Sequence, residues 1–188
     1  MSADLIELQR IKTAARIVHD ADAVSRALDV MAADIAECLS DSNPIVLAVM
    51  TGGLIPTVWL QQRFEFLHQL DYVHASRYVG GTTGGQVNWL AGPRLEMTGR
   101  SILIVDDILD EGLTLQAIID HCWQSGAKEV RSAVLIKKEH DRCVPGLQAD
   151  FVGLSVMDHY VFGCGMDYQE HFRHLNQVYA ISADPASP

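Results

Sequence analysis

The chain has little that would mark a membrane protein, a nucleic-acid binder or a disulfide-stapled domain. No apolar run approaches the about 20 residues that a spanning helix needs, so no membrane partner is expected. No Lys/Arg cluster occurs and the formal net charge is −10, whereas a nucleic-acid surface needs a basic footprint. The only cysteines are Cys38, Cys122, Cys143 and Cys164, and none forms a CxxC pair. With 188 residues and 48% hydrophobic residues the chain can build a real core, so these read as reduced thiols of a cytoplasmic protein. Met1-Ser2-Ala3-Asp4 has neither a basic region nor an apolar stretch, so no secretory signal is expected. A GxxxxGKS/T phosphate loop, a GxSxG elbow and a Cys–His pair in motif context are all missing. His171 and His174 stand three apart, but helical zinc sites generally need a third ligand and often use four-residue spacing, so they read as surface histidines. Without repeats or a linker, residues 1–188 read as one domain.

The most informative stretch runs from Ser101 to Thr114. Ser101-Ile102-Leu103-Ile104-Val105 leads directly into Asp106 and Asp107, and Asp110, Gly112 and Thr114 follow before a helical pattern. Such an apolar run suits a strand buried on both faces of a parallel sheet. Ligands of open α/β sheets bind just outside the carboxyl ends of strands. The next helix opens there with free N–H groups that favour an anion. Carboxylates beside a phosphate-holding helix end repel it unless something positive or hydroxylated lies between. A sugar with free hydroxyls, phosphates and a bound Mg2+ satisfies both. Asp106 and Asp107 can accept from ribose hydroxyls, while the amides of residues 111–114 and the Thr114 hydroxyl hold a 5′-phosphate. A single Asp at 110 would read as a helix cap; three carboxylates in this order with Gly112 and Thr114 read as a site.

Around this stretch, strands alternate with helices, which predicts a parallel α/β sheet. Leu5, Leu8, Ile11, Ala15 and Val18, then Val24, Leu28, Met31, Ile35 and Leu39, follow helical spacing and predict two helices broken near Asp20. Strands are expected at 45–50, 70–78, 101–106, 130–136, 151–156 and 178–181, with 86–90 pairing back. Helices are expected at 54–67 and along Leu115, Ile118, Ile119 and Cys122, the latter ended by Gly126. Gly80 to Gly85 is glycine-rich and polar.

The 101–114 segment closely resembles the phosphoribosyl-pyrophosphate (PRPP) motif of type I phosphoribosyltransferases. In the extended form Val-Asp-Asp-Ile-Leu-Asp-x-Gly-x-Thr it resembles the purine-salvage branch. The resemblance implies a central, mostly parallel sheet flanked by helices, a small hood region, extra N-terminal helices over 1–40 and a core over 44–182. It implies that Asp106, Asp107, Glu111, Gly112, Leu113 and Thr114 bind PRPP and its phosphate, and that Asp110 acts as acid or base near the purine N7. Glu111 stands where a Thr is usual.

Val49-Met50-Thr51-Gly52-Gly53 is similar to the family's pyrophosphate loop, with Thr51 in place of the frequent Lys. Thr51, Gly52 and Gly53 would bind pyrophosphate, and Met50–Thr51 would be a non-proline cis bond. Ser76-Arg77-Tyr78 resembles the flexible loop, whose Ser76 and Tyr78 would close over the reaction centre. At the end of Leu135-Ile136-Lys137-Lys138, Lys137 would hydrogen-bond the 6-oxo group of the base, and Lys138 aligns with a less important basic position.

Asp158-His159-Tyr160-Val161-Phe162-Gly163-Cys164-Gly165-Met166-Asp167-Tyr168, followed by Phe172-Arg173-His174-Leu175, is similar to the C-terminal signature of hypoxanthine-guanine phosphoribosyltransferases. Tyr160 would stack on the purine and the Val161 backbone would bond its edge. Asp167 would contact a guanine amino group or a metal-bound water, and Arg173 would contact pyrophosphate. The implied cofactor is Mg2+, held by Asp106, Asp107 and Asp167. The implied partners are PRPP, a 6-oxopurine base and pyrophosphate, in a homodimer or homotetramer. Two alternatives stand beside it: a xanthine-preferring enzyme of the same fold, and a PRPP-binding regulator that keeps the fold without turnover.

Overall fold

The computed structural model describes residues 5–77 and 87–181. Its main sheet has six strands in the order β4-β3-β2-β5-β6-β7. These are β2 (Ile45–Met50), β3 (Gln69–Arg77), β4 (Val87–Ala91), β5 (Ser101–Leu109), β6 (Glu129–Glu139) and β7 (Phe151–Met157). All pairs are parallel except β3 with β4, which turns back as an antiparallel edge. The apolar runs of β2 and β5 are almost wholly buried, as strands covered on both faces must be.

The two faces have separate cores. On one side α2 (Ala21–Leu39) buries Val24, Leu28, Met31, Ile35 and Leu39 against Val46, Leu103, Val105, Ala133 and Leu135, and α3 (Leu54–Gln61) adds Leu60. On the other side α4 (Leu113–Gln124) lays Leu115, Ile118 and Cys122 on Ile45, Leu47, Ile102, Ile104 and Val134. Alternate residues of β2 and β5 thus feed opposite cores, following the two-residue period of a strand.

Several expected boundaries shift. The first helix, α1, covers only Leu5–Ala14; Val18 lies instead in β1 (Arg16–His19). Residues 16–19 pair antiparallel with β9 (Val178–Ile181), which pairs in turn with β8 (Tyr160–Phe162), giving a second, three-stranded sheet built from both ends of the described chain. Asp20 does break the pattern: its carboxylate accepts from the Ala23 N–H at 2.8 Å and caps α2. α3 stops at Gln61 rather than 67. There the Arg63 guanidinium donates to the Trp59 carbonyl at 2.8 Å, and Phe64 and Phe66 turn onto the α2 core. Residues 169, 170 and 172 have positive φ, so His171 and His174 share no helix.

Candidate active site

The strand order reverses between β2 and β5. From β2 the chain winds outward through α3 to β3, and from β5 it winds the other way through α4 to β6 and β7. This is the switch point at which the loops after two neighbouring strands diverge and leave a crevice. β2 pairs with β5 only up to Ala48–Val105, whereas β5 stays paired with β6 through Leu109–Lys137. The acidic pair is therefore inside an extended β5 and not just beyond it, a correction to the expected strand end at 106. One edge of the strand is open where the β2 loop swings away.

A cleft of about 250 Å³ occupies this gap. Its lining brings together Met50, Gly52, Asp106, Asp107, Asp110 and the whole 111–114 turn. α4 begins at Leu113 behind Gly112, so the start of the helix lies at the cleft. The Met50–Thr51 bond is cis.

Gly52 and Gly165 set the closeness of the loops. A Cβ on Gly52 would run into the Asp107 carboxylate, and one on Gly165 would run into the Gly52 carbonyl. Three distant segments therefore meet at Asp107. Arg173 extends this junction: its guanidinium donates to the Gly165 carbonyl at 2.9 Å and pairs with Asp167 at 2.7 Å, and its charge also reaches Asp107.

The electrostatics follow from this crowding. Burial, then the neighbouring Asp107 charge, push the Asp106 carboxyl well above the usual range. Burial also raises Asp107, although its hydrogen bond with Asp106 and the Arg173 charge pull it back. Asp110 goes the other way. Burial would raise it, but hydrogen bonds from Lys138 and His140, both at 2.7 Å, outweigh that and hold it below the ordinary value. Burial pushes the Cys164 thiol up to about 12, which makes it inert although it sits between two site glycines. All four cysteines are free.

The other expected residues fall into groups. Thr51 and Gly53 flank the cleft in sequence without lining it. Lys137 lies 3.6 Å from Glu139 with its side chain 44% exposed, outside that lining; Lys138 reaches Asp110. Tyr160 is exposed on β8 and donates to the Asp167 carbonyl at 3.1 Å, while Val161 is buried. Tyr78 and the glycine-rich stretch through 86 lie outside the described residues, as does the side chain of Ser76. Among the described residues no three His, Cys, Asp or Glu side chains gather as a metal cage. Of the expected set Asp106, Asp107 and Asp167, the first two line the cleft, and the Asp167 carboxylate is engaged by Arg173 and by the Glu170 N–H at 2.8 Å. His140 and Arg142 were not foreseen. Lys138 and His140 are two apart at a strand end, and that period-2 spacing is the signal that places both on the Asp110 side.

Residues 15–171 match the phosphoribosyl transferase domain family. The hypoxanthine-guanine phosphoribosyltransferase of Rattus norvegicus is 32% identical over 162 residues, covering 81% of this chain and 74% of the rat protein. The hypoxanthine-guanine-xanthine phosphoribosyltransferase of Tritrichomonas foetus is 25% identical over 160 residues, covering 85% and 87%. A Bacillus anthracis hypoxanthine-guanine phosphoribosyltransferase, solved with a HEPES molecule in its active site, superposes with a TM-score of 0.83 at 26% identity over 89% of this chain and 98% of that one. An acidic pair at the switch point, a helix start facing it and these likenesses agree: the chain belongs to the phosphoribosyl transferase domain family, among the hypoxanthine-guanine phosphoribosyltransferases.

Proposed function

We propose that the protein transfers the phosphoribosyl group of PRPP to hypoxanthine or guanine, yielding IMP or GMP and pyrophosphate. The observation that carries this reading is the convergence of Gly52, Asp106, Asp107, Asp110 and the 111–114 turn on one cleft. The amides of 111–114 and the Thr114 hydroxyl hold the 5′-phosphate at the start of α4. Asp106 and Asp107 accept from the ribose hydroxyls. The 51–53 loop and Arg173 face the pyrophosphate. N9 of the base attacks the anomeric carbon, the bond to pyrophosphate breaks, and Asp110 takes or returns the N7 proton. Lys137 meets the 6-oxo group, Tyr160 stacks on the ring, and the Val161 backbone and Asp167 read its edge. The resemblance assigns Ser76, near the end of β3, and Tyr78 to covering the reaction centre and excluding water.

Two adjacent carboxylates, both raised by burial and Asp106 also by the Asp107 charge, fit a hard cation shared with ligand oxygens. Mg2+ would be held on the Asp106–Asp107 side, and when bound it neutralises charge on the departing pyrophosphate. The free cysteines support a cytoplasmic setting. Exposed Leu54, Val58 and Leu70 around one groove support a homodimer or homotetramer.

The relatives from Rattus norvegicus, Mus musculus and Sus scrofa, at 31–32% identity, are named for hypoxanthine and guanine, which favours those bases over xanthine. A coupled assay with PRPP, Mg2+ and each base tests both alternatives. Turnover is expected with hypoxanthine or guanine; none with any base leaves only a binding protein. Asp110→Asn is expected to lower kcat by roughly 10²–10⁴-fold with little change in the KM for PRPP. Near-wild-type turnover would remove Asp110 from the mechanism.

A further inference from the structure

Residues 138–147 leave β6 and return across the PRPP turn, touching three of its residues in succession. Lys138 and His140 bind the Asp110 side chain, the Val144 N–H donates to the Glu111 carbonyl at 2.9 Å, and Leu147 and Cys143 cover Gly112. Arg142 pins this loop to the turn between β7 and β8 through two bonds to Asp158, at 2.7 and 2.9 Å. Within the loop, His140 is the buried polar contact: its side chain is only 4% exposed.

The roles of its two ring nitrogens follow from their neighbours. Nδ1 faces the Arg142 backbone N–H at 3.1 Å, which can only donate. Nδ1 therefore accepts, Nε2 carries the proton, and Nε2–H donates to Asp110 Oδ1 at 2.7 Å. Lys138 Nζ donates to Oδ2 at the same distance. Each Asp110 oxygen thus has one donor, from a residue that does not line the cleft, and each keeps a second lone-pair position. With Asp110 38% exposed and lining the cleft, those positions remain open to a ligand.

We propose that His140 is a positioning residue: through a fixed Nε2–H it orients the Asp110 carboxylate so that its free lone pairs face the reacting base. Lys138 alone, on a flexible stem, does not fix the plane of the carboxylate, because one donor at one oxygen leaves rotation about χ2 free. The second donor, held by a backbone N–H on its far nitrogen, removes that rotation. This is the relation of an orienting group to a general base, here supplied by a loop and not by the PRPP motif.

This inference rests on the proposed transfer reaction, so the experiment measures wild-type turnover in parallel. His140→Ala and His140→Gln are compared for kcat, KM for PRPP and PRPP-induced thermal shift. The Gln side chain can supply an N–H to Asp110 Oδ1. We expect His140→Ala to lower kcat by roughly 10–100-fold, the usual cost of losing an orienting partner, with the KM for PRPP within about threefold. His140→Gln should recover most of the loss. Unchanged kcat in His140→Ala overturns the proposal. So does an equal loss in kcat, PRPP KM and melting temperature in both variants, which would make His140 a packing residue. An inactive wild type overturns the transfer reaction and the proposal with it; an active wild type with an indifferent His140→Ala overturns the proposal alone.

Discussion

Asp106 and Asp107 are held against their own electrostatics. Both carboxyls lie above their unfolded values because the fold buries them side by side. Below the unfolded carboxylate value both states are protonated and the pair costs nothing. As the pH rises past that value the unfolded chain releases its protons first, so the native state loses stability relative to it. Asp106→Asn removes one of the two charges. Its ligand-free melting temperature should exceed that of the wild type by a few degrees at pH 8, and the advantage should shrink toward pH 4. PRPP binding should fall at the same time, because Asn cannot serve as an anionic partner for the ribose hydroxyls and the cation. An equal advantage at both pH values, read by calorimetry, would show that the gain is not electrostatic. At this scale the acidic pair, Asp110 and Thr114 were legible from their order in the chain. His140 was not, because its two-residue spacing from Lys138 marks a shared side but not the partner, Asp110, which lies 30 positions away in the chain.

The elements divide by how much of their own stability is local. α2 is readable because it carries its whole code: an Asp cap and an apolar stripe at helical spacing. Its burial is also what closes one face of the sheet, with Ile35 wholly inaccessible among Leu103, Val105 and Leu135. Ile35→Ala should cost about 2–5 kcal/mol, since transfer and cavity penalties add. At roughly 2–4 °C per kcal/mol for a chain of this size, a fall in melting temperature of less than 2 °C would show that the site collapses to fill the hole. β1 is the opposite case. Ile17 and Val18 are β-branched, but four half-exposed residues cannot hold a strand alone, and Val18 also fits the spacing of α1. Only β9, from the far end of the described chain, makes residues 16–19 a strand.

For the molecule as a whole, ligand and fold are linked through the crevice between β2 and β5. Two core layers grip opposite faces of the sheet, and the loops that would bind PRPP connect them. A ligand that binds only the native state at 100 times its Kd stabilises it by about 2.7 kcal/mol. PRPP with Mg2+ should therefore raise the melting temperature by roughly 5–10 °C. PRPP without divalent cation should give a smaller shift, because the acidic pair then faces an uncompensated anion. Equal shifts with and without Mg2+ would argue against a cation beside Asp106 and Asp107.

What the amino-acid order determined by itself was local or periodic. It specified the buried strands, the helix faces, the break at Asp20 and the acid-acid-x-x-acid turn that opens α4. Resemblance added the proposed roles of Lys137, Tyr160, Val161, Asp167 and Arg173, which no pattern in the chain would have singled out. The tertiary structure alone decided three things. It continued β5 through the acidic pair, because β6 still pairs there after β2 has left. It joined Gly52, Asp107 and Gly165 at one point, because only residues without a Cβ permit the 50s and 160s loops to close on that carboxylate. And it set Lys138 and His140 on Asp110, because parallel pairing in register puts the end of β6 beside the end of β5. Each of these depends on residues tens of positions apart, and their approach is set by sheet register and loop packing, which a linear pattern does not encode.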